Sequence, residues 1–155
     1  MTRKQLLFSV RIGVFSIIRK RLTMKNVAIK EHHLYNKAYR KGKSFVGKYV
    51  AVYVLRDLAA ARLRNEHPQK LYVNRLGLSV SKKLGTAVVR NRAKRVLREA
   101  YRENEACLRK GYLVVLSARF AIADAKTPEV ARELAAAFRT LGLVCPEADK
   151  QGSHQ

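Results

Sequence analysis

Between Lys82 and Arg98 the chain carries seven basic residues, Lys82, Lys83, Arg90, Arg92, Lys94, Arg95 and Arg98, and no acid. From Ala87 onward this segment predicts a long helix, running to about Arg109 and closed by Gly111. On a helical wheel at roughly 100° per residue, Val89, Ala93, Val96, Leu97, Ala100 and Cys107 share an arc of about 100°. Arg90, Asn91, Lys94, Arg95, Arg98 and Arg102 fill the adjacent arc of about 140°, and Arg92, Glu99 and Glu103 take the remainder. One side of the helix must therefore be buried while its neighbour faces outward as a cationic ridge.

A solvated helix face usually alternates acids and bases at i,i+4. Here Arg90, Lys94, Arg98 and Arg102 follow one another at that spacing with no acid on their arc, since Glu99 falls on the remaining one. Three such like-charge steps cost about 1 kcal/mol together. That is bearable for a domain stable by about 5–15 kcal/mol, and it is reversed when phosphates sit along the ridge. Arginine offers forked donors to phosphate and can stack on bases. Asn91 can read a base edge or a 2′-hydroxyl.

The whole chain agrees with that reading. Across 155 residues, 33 Lys and Arg stand against 11 Asp and Glu, a formal net charge of +22. A field of that strength calls for a polyanion, with nucleic acid first and an anionic membrane surface second. No run of about 18 apolar residues is present, so no membrane-spanning helix is expected, and a cytoplasmic location fits. Cys107 and Cys145 form no metal or redox motif and read as reduced thiols. The length suits one domain with a tail or two.

Residues 1–23 contain no acid, and Arg11 interrupts their apolar patch. They read as a basic extension, or as sequence ahead of the natural start at Met24, rather than as a signal peptide. Glu31 to Lys41 predicts a short helix ended by Gly42, with Leu34 and Ala38 on one face and Tyr35 and Tyr39 on the next. Strands are expected around Ser44 to Val46, over Tyr49 to Leu55, over Leu71 to Ser81 and over Tyr112 to Ala118. In the third of these, Leu76, Leu78 and Val80 alternate with Gly77, Ser79 and Ser81. Its small polar face leaves room for something bulky, such as a nucleotide. The apolar strand after the basic helix suggests parallel pairing. Thr127 as N-cap and Pro128 at the first position predict a last helix to about Leu141. The loop between Arg56 and Gln69 holds an Ala-rich piece, Leu58 to Leu63, able to make a helical turn. A polar tail follows from Cys145 to Gln155.

The run from Gly77 to Glu99, GLSVSKKLGTAVVRNRAKRVLRE, resembles the signature of the bacterial ribonuclease P protein component. Arg90-Asn91-Arg92 followed by Lys94-Arg95 and Arg98-Glu99 is its hallmark, and the likeness extends over residues 24–144 at most, about Met24 to Leu141 in its clearest part. It implies an α+β fold, a two-layer sandwich in the order α-β-β-β-α-β-α, with an unusual left-handed βαβ crossover where handedness rules alone would give a right-handed one. It implies a subunit of a ribonucleoprotein endonuclease that removes the 5′ leader from precursor tRNA. The RNA performs the hydrolysis with magnesium that the RNA holds, and the protein itself carries no catalytic residue and binds no metal. One protein per RNA is expected. The resemblance assigns Arg90, Asn91, Arg92, Lys94, Arg95 and Arg98 to the catalytic RNA. It assigns a leader-binding cleft to Tyr35, Tyr39 and Tyr53, with Ser79, Ser81 and Lys82 nearby. This chain departs from the family in having Thr86 where Asn is frequent and Tyr where Phe is usual in the first helix. The alternative is a ribosomal-type or chaperoning RNA-binding protein with no part in catalysis.

A self-sufficient enzyme finds little support. Glu99, Glu103 and Glu105 are not paired across a cleft, and His32-His33 lacks metal spacing. Lys41-Gly42-Lys43-Ser44 contains GKS, but Lys37 stands where a phosphate-binding loop needs glycine.

Overall fold

The computed structural model describes residues 27–60, 62 and 74–145. The basic stretch at residues 1–23, most of the 56–69 loop and the tail beyond Cys145 lie outside the described residues. In chain order the elements are β1 (Val27–Ala28), α1 (His32–Lys41), β2 (Lys43–Val46), β3 (Val50–Arg56), β4 (Arg75–Ser79), a 3-10 turn (Lys82–Leu84), α2 (Ala87–Glu105), β5 (Tyr112–Ala118), a second 3-10 turn (Phe120–Ala123) and α3 (Thr127–Thr140). The expected α+β order is present, preceded by the two-residue strand β1, which pairs parallel to β4 at the sheet edge.

The five strands lie in the order β1-β4-β5-β3-β2. β5 is parallel to β4, its partner across the α2 crossover, and antiparallel to β3. This mixed centre explains the unbroken apolar run of β5: Leu113, Val114, Val115 and Leu116 are all buried because both faces of the strand are covered. On one face, Val50, Val52, Val54, Leu76, Val114 and Leu116 meet α2 and α3 in the main core. Tyr101 and Phe138 meet edge to face there, with centroids 6.1 Å apart. On the other face, α1 sets Leu34 and Ala38 against Leu113 and Val115, with Tyr35, Tyr53 and Leu55 around them. The period-2 alternation of β3 thus feeds two separate cores.

Two helix boundaries differ from expectation and a third is reached as expected but by another backbone conformation, each for a physical reason. α2 ends at Glu105 rather than near Arg109. Leu108, 2 % exposed, is drawn into the core and bridges to Val144, with Arg109 N–H donating to the Leu143 carbonyl at 2.8 Å. α3 is capped by Lys126, one residue before Thr127, and the Lys126 N–H donates to the Glu129 carboxylate at 2.9 Å. Gly42 ends α1 with φ of −78°, outside the left-handed region. A Cβ there would lie 2.4 Å from the Ala38 carbonyl oxygen and 3.0 Å from that of Val54, so close approach of the helix end to β3 demands the glycine.

Buried polar groups fix the ends of the sheet. Asn74, 1 % exposed, donates to the Arg109 carbonyl at 2.9 Å and accepts the Tyr112 N–H at 3.0 Å, holding the turn from α2 into β5. Asp57, 3 % exposed, accepts Arg75 Nε at 2.6 Å and the N–H groups of Ala59 and Ala60, the last two capping the Ala-rich helical turn.

Candidate nucleic-acid interface

The basic helix presents its ridge to solvent. Asn91, Arg95, Arg98 and Arg102 are exposed, and Arg90 and Lys94 half-buried. Arg90 donates to the Gly85 carbonyl at 3.0 Å, which orients its guanidinium across the helix start. Arg102 pairs with Glu99 at 3.0 Å at the far end. Among the described residues, Lys94, Arg95 and Arg98 make no ion pair. The apolar seam is wider than the wheel predicted, because Tyr101 and Glu105 are buried too. Tyr101 falls in the arc read as ridge, so the helix rolls into the core toward its C-terminus and the cationic face concentrates in its first three turns. Burial pushes the Tyr101 phenol up, Asn74 opposing the shift in part, and the hydroxyl makes no hydrogen bond of ordinary geometry among the described residues.

Arg92 differs from the other five residues assigned to the catalytic RNA. Its guanidinium donates to the Ala123 carbonyl and, at 3.3 Å, to that of Ala125. It ties α2 to the turn after β5, on the arc away from the ridge.

The three tyrosines come together on the α1 face. Tyr39 and Tyr53 meet edge to face with centroids 4.8 Å apart and planes at 85°. Tyr39 is 37 % exposed and Tyr53 half-buried, so one ring is offered to solvent and the other props it. Tyr35 turns instead onto β4. A Cβ at Gly77 would lie 2.8 Å from its ring, so the room that the small strand face provides at this position is filled by the chain's own tyrosine. Burial pushes the Tyr35 phenol above its usual value of 10.0, with the backbone of Leu78 opposing.

Open sheet lies one step further along the strands. Register places Ser79 opposite Ser117, Ser117 opposite Ala51, and Ala51 opposite Val46, a row of small or exposed side chains across four strands. It adjoins the row containing Gly77, Val115 and Tyr53. Ser79 is therefore in the open row, whereas Ser81 lies past the strand and its hydroxyl caps the 3-10 turn by accepting the Lys83 N–H at 3.2 Å. Lys82 is exposed in that same turn.

Where β4 and β5 finish and β3 begins, Lys48, Ser81, Lys83, Arg119 and Phe120 line an open cavity. Phe120 is 69 % exposed beside these cations. Of these residues only Ser81 was assigned to a site from sequence, and Ser117 in the open row was missed as well. The available signal was Arg119-Phe120, a cation and an aromatic placed directly after a buried strand.

Comparison with known proteins decides the family. A family model for ribonuclease P matches residues 23–142. The chain belongs to the ribonuclease P protein component family. The ribonuclease P protein component of Clostridium acetobutylicum is 36 % identical over 121 residues, spanning 78 % of this chain and 93 % of the relative. That of Natranaerobius thermophilus is 38 % identical over 94 residues, 61 % of this chain and 71 % of the relative. The structure of the Staphylococcus aureus RNase P protein superposes with a TM-score of 0.62 at 27 % identity, covering 78 % of this chain and all 100 % of that one. The Thermotoga maritima RNase P protein, at 23 % identity and a TM-score of 0.55, shares the fold. Membership makes this chain an RNA-binding component of the ribonuclease P ribonucleoprotein, which works in tRNA processing. No helix among the described residues is long and apolar enough to cross a membrane.

Proposed function

We propose that this chain docks on the catalytic RNA of ribonuclease P through the ridge of α2 and holds the single-stranded 5′ leader of precursor tRNA against the open sheet face beside α1. The observation that carries the reading is the trio Lys94, Arg95 and Arg98, without an ion pair among the described residues, on a helix whose opposite side is buried in the core. Such a ridge is rigid, so little entropy is lost when it meets a folded RNA. Arg90 and Asn91 extend it at the helix start. Arg92 supports it by fixing α2 to the turn after β5.

The leader site is a different kind of surface. Tyr39, propped by Tyr53, offers a ring on which any base can stack, a sequence-tolerant contact worth roughly 1–3 kcal/mol per base. Ser79 and Ser117 give small hydrogen-bonding groups along the open row, and Lys82 adds charge at its end. Hydrolysis belongs to the RNA and the magnesium ions it holds. The protein raises local cation density and fixes the leader, which spares the RNA part of its own need for magnesium.

The test is cleavage of a precursor tRNA at low magnesium by the purified chain, by the catalytic RNA, and by both. The reading expects no cleavage by the chain alone and strong stimulation when both are present. Cleavage without RNA would reject the division of labour, and absence of stimulation would favour a chaperoning role.

A further inference from the structure

Glu133 projects from α3, a helix with no part in either surface described above, into the turn between β2 and β3. Its carboxylate accepts the N–H of Lys48 at 3.0 Å, of Tyr49 at 2.9 and 3.2 Å, and of Val50 at 2.9 Å. Three consecutive amides converge on one anion, the arrangement in which a backbone turn holds a carboxylate most firmly. Gly47 makes room for it: a Cβ there would lie 2.2 Å from Glu133 Oε1. The same turn is gripped from just past β5, where Arg119 N–H donates to the Tyr49 carbonyl at 3.0 Å and the Arg119 guanidinium donates to the Gly47 carbonyl.

The turn so fixed carries Lys48, which lines the cavity with Lys83 and Arg119 beside exposed Phe120. Lys48 Nζ sits 5.0 Å from the centre of the Tyr49 ring, so its stem runs along the turn that Glu133 holds. An exposed lysine on a free hairpin tip would lose rotamer and backbone freedom on meeting phosphate. Here the backbone part of that loss is already borne by the fold.

We propose that Glu133 is a positioning residue for single-stranded RNA: it fixes the β2–β3 turn so that Lys48 joins Lys83 and Arg119 around one phosphate-binding cavity. The proposal rests on the leader-binding reading, whose open sheet row ends beside this cavity. Glu133 does not touch the RNA. It acts through Lys48, and a half-buried anion on the far helix thereby sharpens a cationic site.

A double-mutant cycle on the reconstituted ribonucleoprotein tests this, with affinity for a precursor tRNA followed over a range of salt and thermal unfolding followed in parallel. Lys48→Ala should flatten the salt dependence by about 0.7 log units for one lost single-strand phosphate contact. Glu133→Ala should produce the same loss, and the double variant no more than either alone. Glu133→Gln should recover part of it, since one oxygen still accepts the Tyr49 and Val50 amides. Gly47→Ala, which displaces the carboxylate without deleting it, should behave as Glu133→Ala and serves if that variant fails to fold. Additive losses, or reduced stability with an unchanged salt slope, would overturn the proposal. So would a silent Lys48→Ala, and the leader reading would survive that outcome provided Tyr39→Ala still separated precursor from mature tRNA. A wild-type complex with no leader preference would remove the reading on which the proposal rests.

Discussion

The ring of Tyr35 covers Gly77, with 2.8 Å between its carbons and the point where a side chain would begin. The contact joins α1 to β4 and closes one end of the open sheet face. Gly77→Ala must push the ring away or shift the helix. An overpacked contact of this kind should cost about 1–3 kcal/mol, read by chemical denaturation. Affinity for leader-bearing substrate should fall with it, because α1 also carries Tyr39. Unchanged stability would show that the helix yields freely at this point.

On the proposed reading, Tyr39 and Tyr53 divide the work of a stacking platform. Tyr39→Ala should weaken binding of precursor tRNA by roughly 1–3 kcal/mol, the worth of one stacked base, and leave mature tRNA unaffected. Tyr39→Phe should bind like the parent, since the ring and its edge-to-face contact at 4.8 Å remain. Competition binding with the two RNAs decides it, and equal losses for both would move the leader site elsewhere.

Arg92 and Arg95 are three residues apart and should behave as opposites. Arg92 is engaged by the carbonyls of Ala123 and Ala125, while Arg95 is exposed without an ion pair among the described residues. Arg92→Ala should lower folding stability by about 1 kcal/mol, discounted for its exposure, and leave the salt slope of catalytic-RNA binding intact. Arg95→Ala should leave stability intact and flatten that slope. A thermal melt and a salt titration on each variant make the comparison.

Alkali should unfold the chain through Tyr101. Burial raises its folded phenol value above the ordinary 10.0 of an exposed tyrosine, so the folded state holds the proton more tightly than the unfolded state. The stability this contributes is complete below the ordinary value and is lost progressively as pH rises above it. Tyr35 shifts the same way for the same cause. Denaturation midpoints measured from about pH 9 to pH 11 should fall on the alkaline side, and Tyr101→Phe should flatten the fall.

Much of this was legible in the sequence because it is periodic. The alternation of Val50, Val52 and Val54 gave the inner face of β3, and the wheel from Val89 to Ala100 gave the seam of α2. Local pattern could not show what tertiary neighbours decide. Tyr101 looks like ridge by angle and is buried because α3 brings Phe138 against it. Gly77 looks like space for a ligand and is space for Tyr35. Arg92 sits in the hallmark triplet, yet its partners lie 31 and 33 residues away, beyond the reach of any spacing argument. The cavity around Lys48, Lys83 and Arg119 draws on three separate segments that only sheet closure assembles. Glu133 was invisible for the same reason, with partners 83 to 85 residues distant.

The most direct measurement is the salt dependence of binding to the catalytic RNA for the parent chain and for a variant with Lys94, Arg95 and Arg98 all replaced by alanine. Each side chain is solvent-accessible, so the variant should fold with its melting temperature nearly unchanged. If the ridge docks on folded RNA, the slope of log affinity against log salt should fall by roughly 0.7–0.9 for each phosphate contact removed, and stimulation of cleavage at low magnesium should fall with it. A variant that folds, binds with the parental slope and stimulates fully would contradict the account.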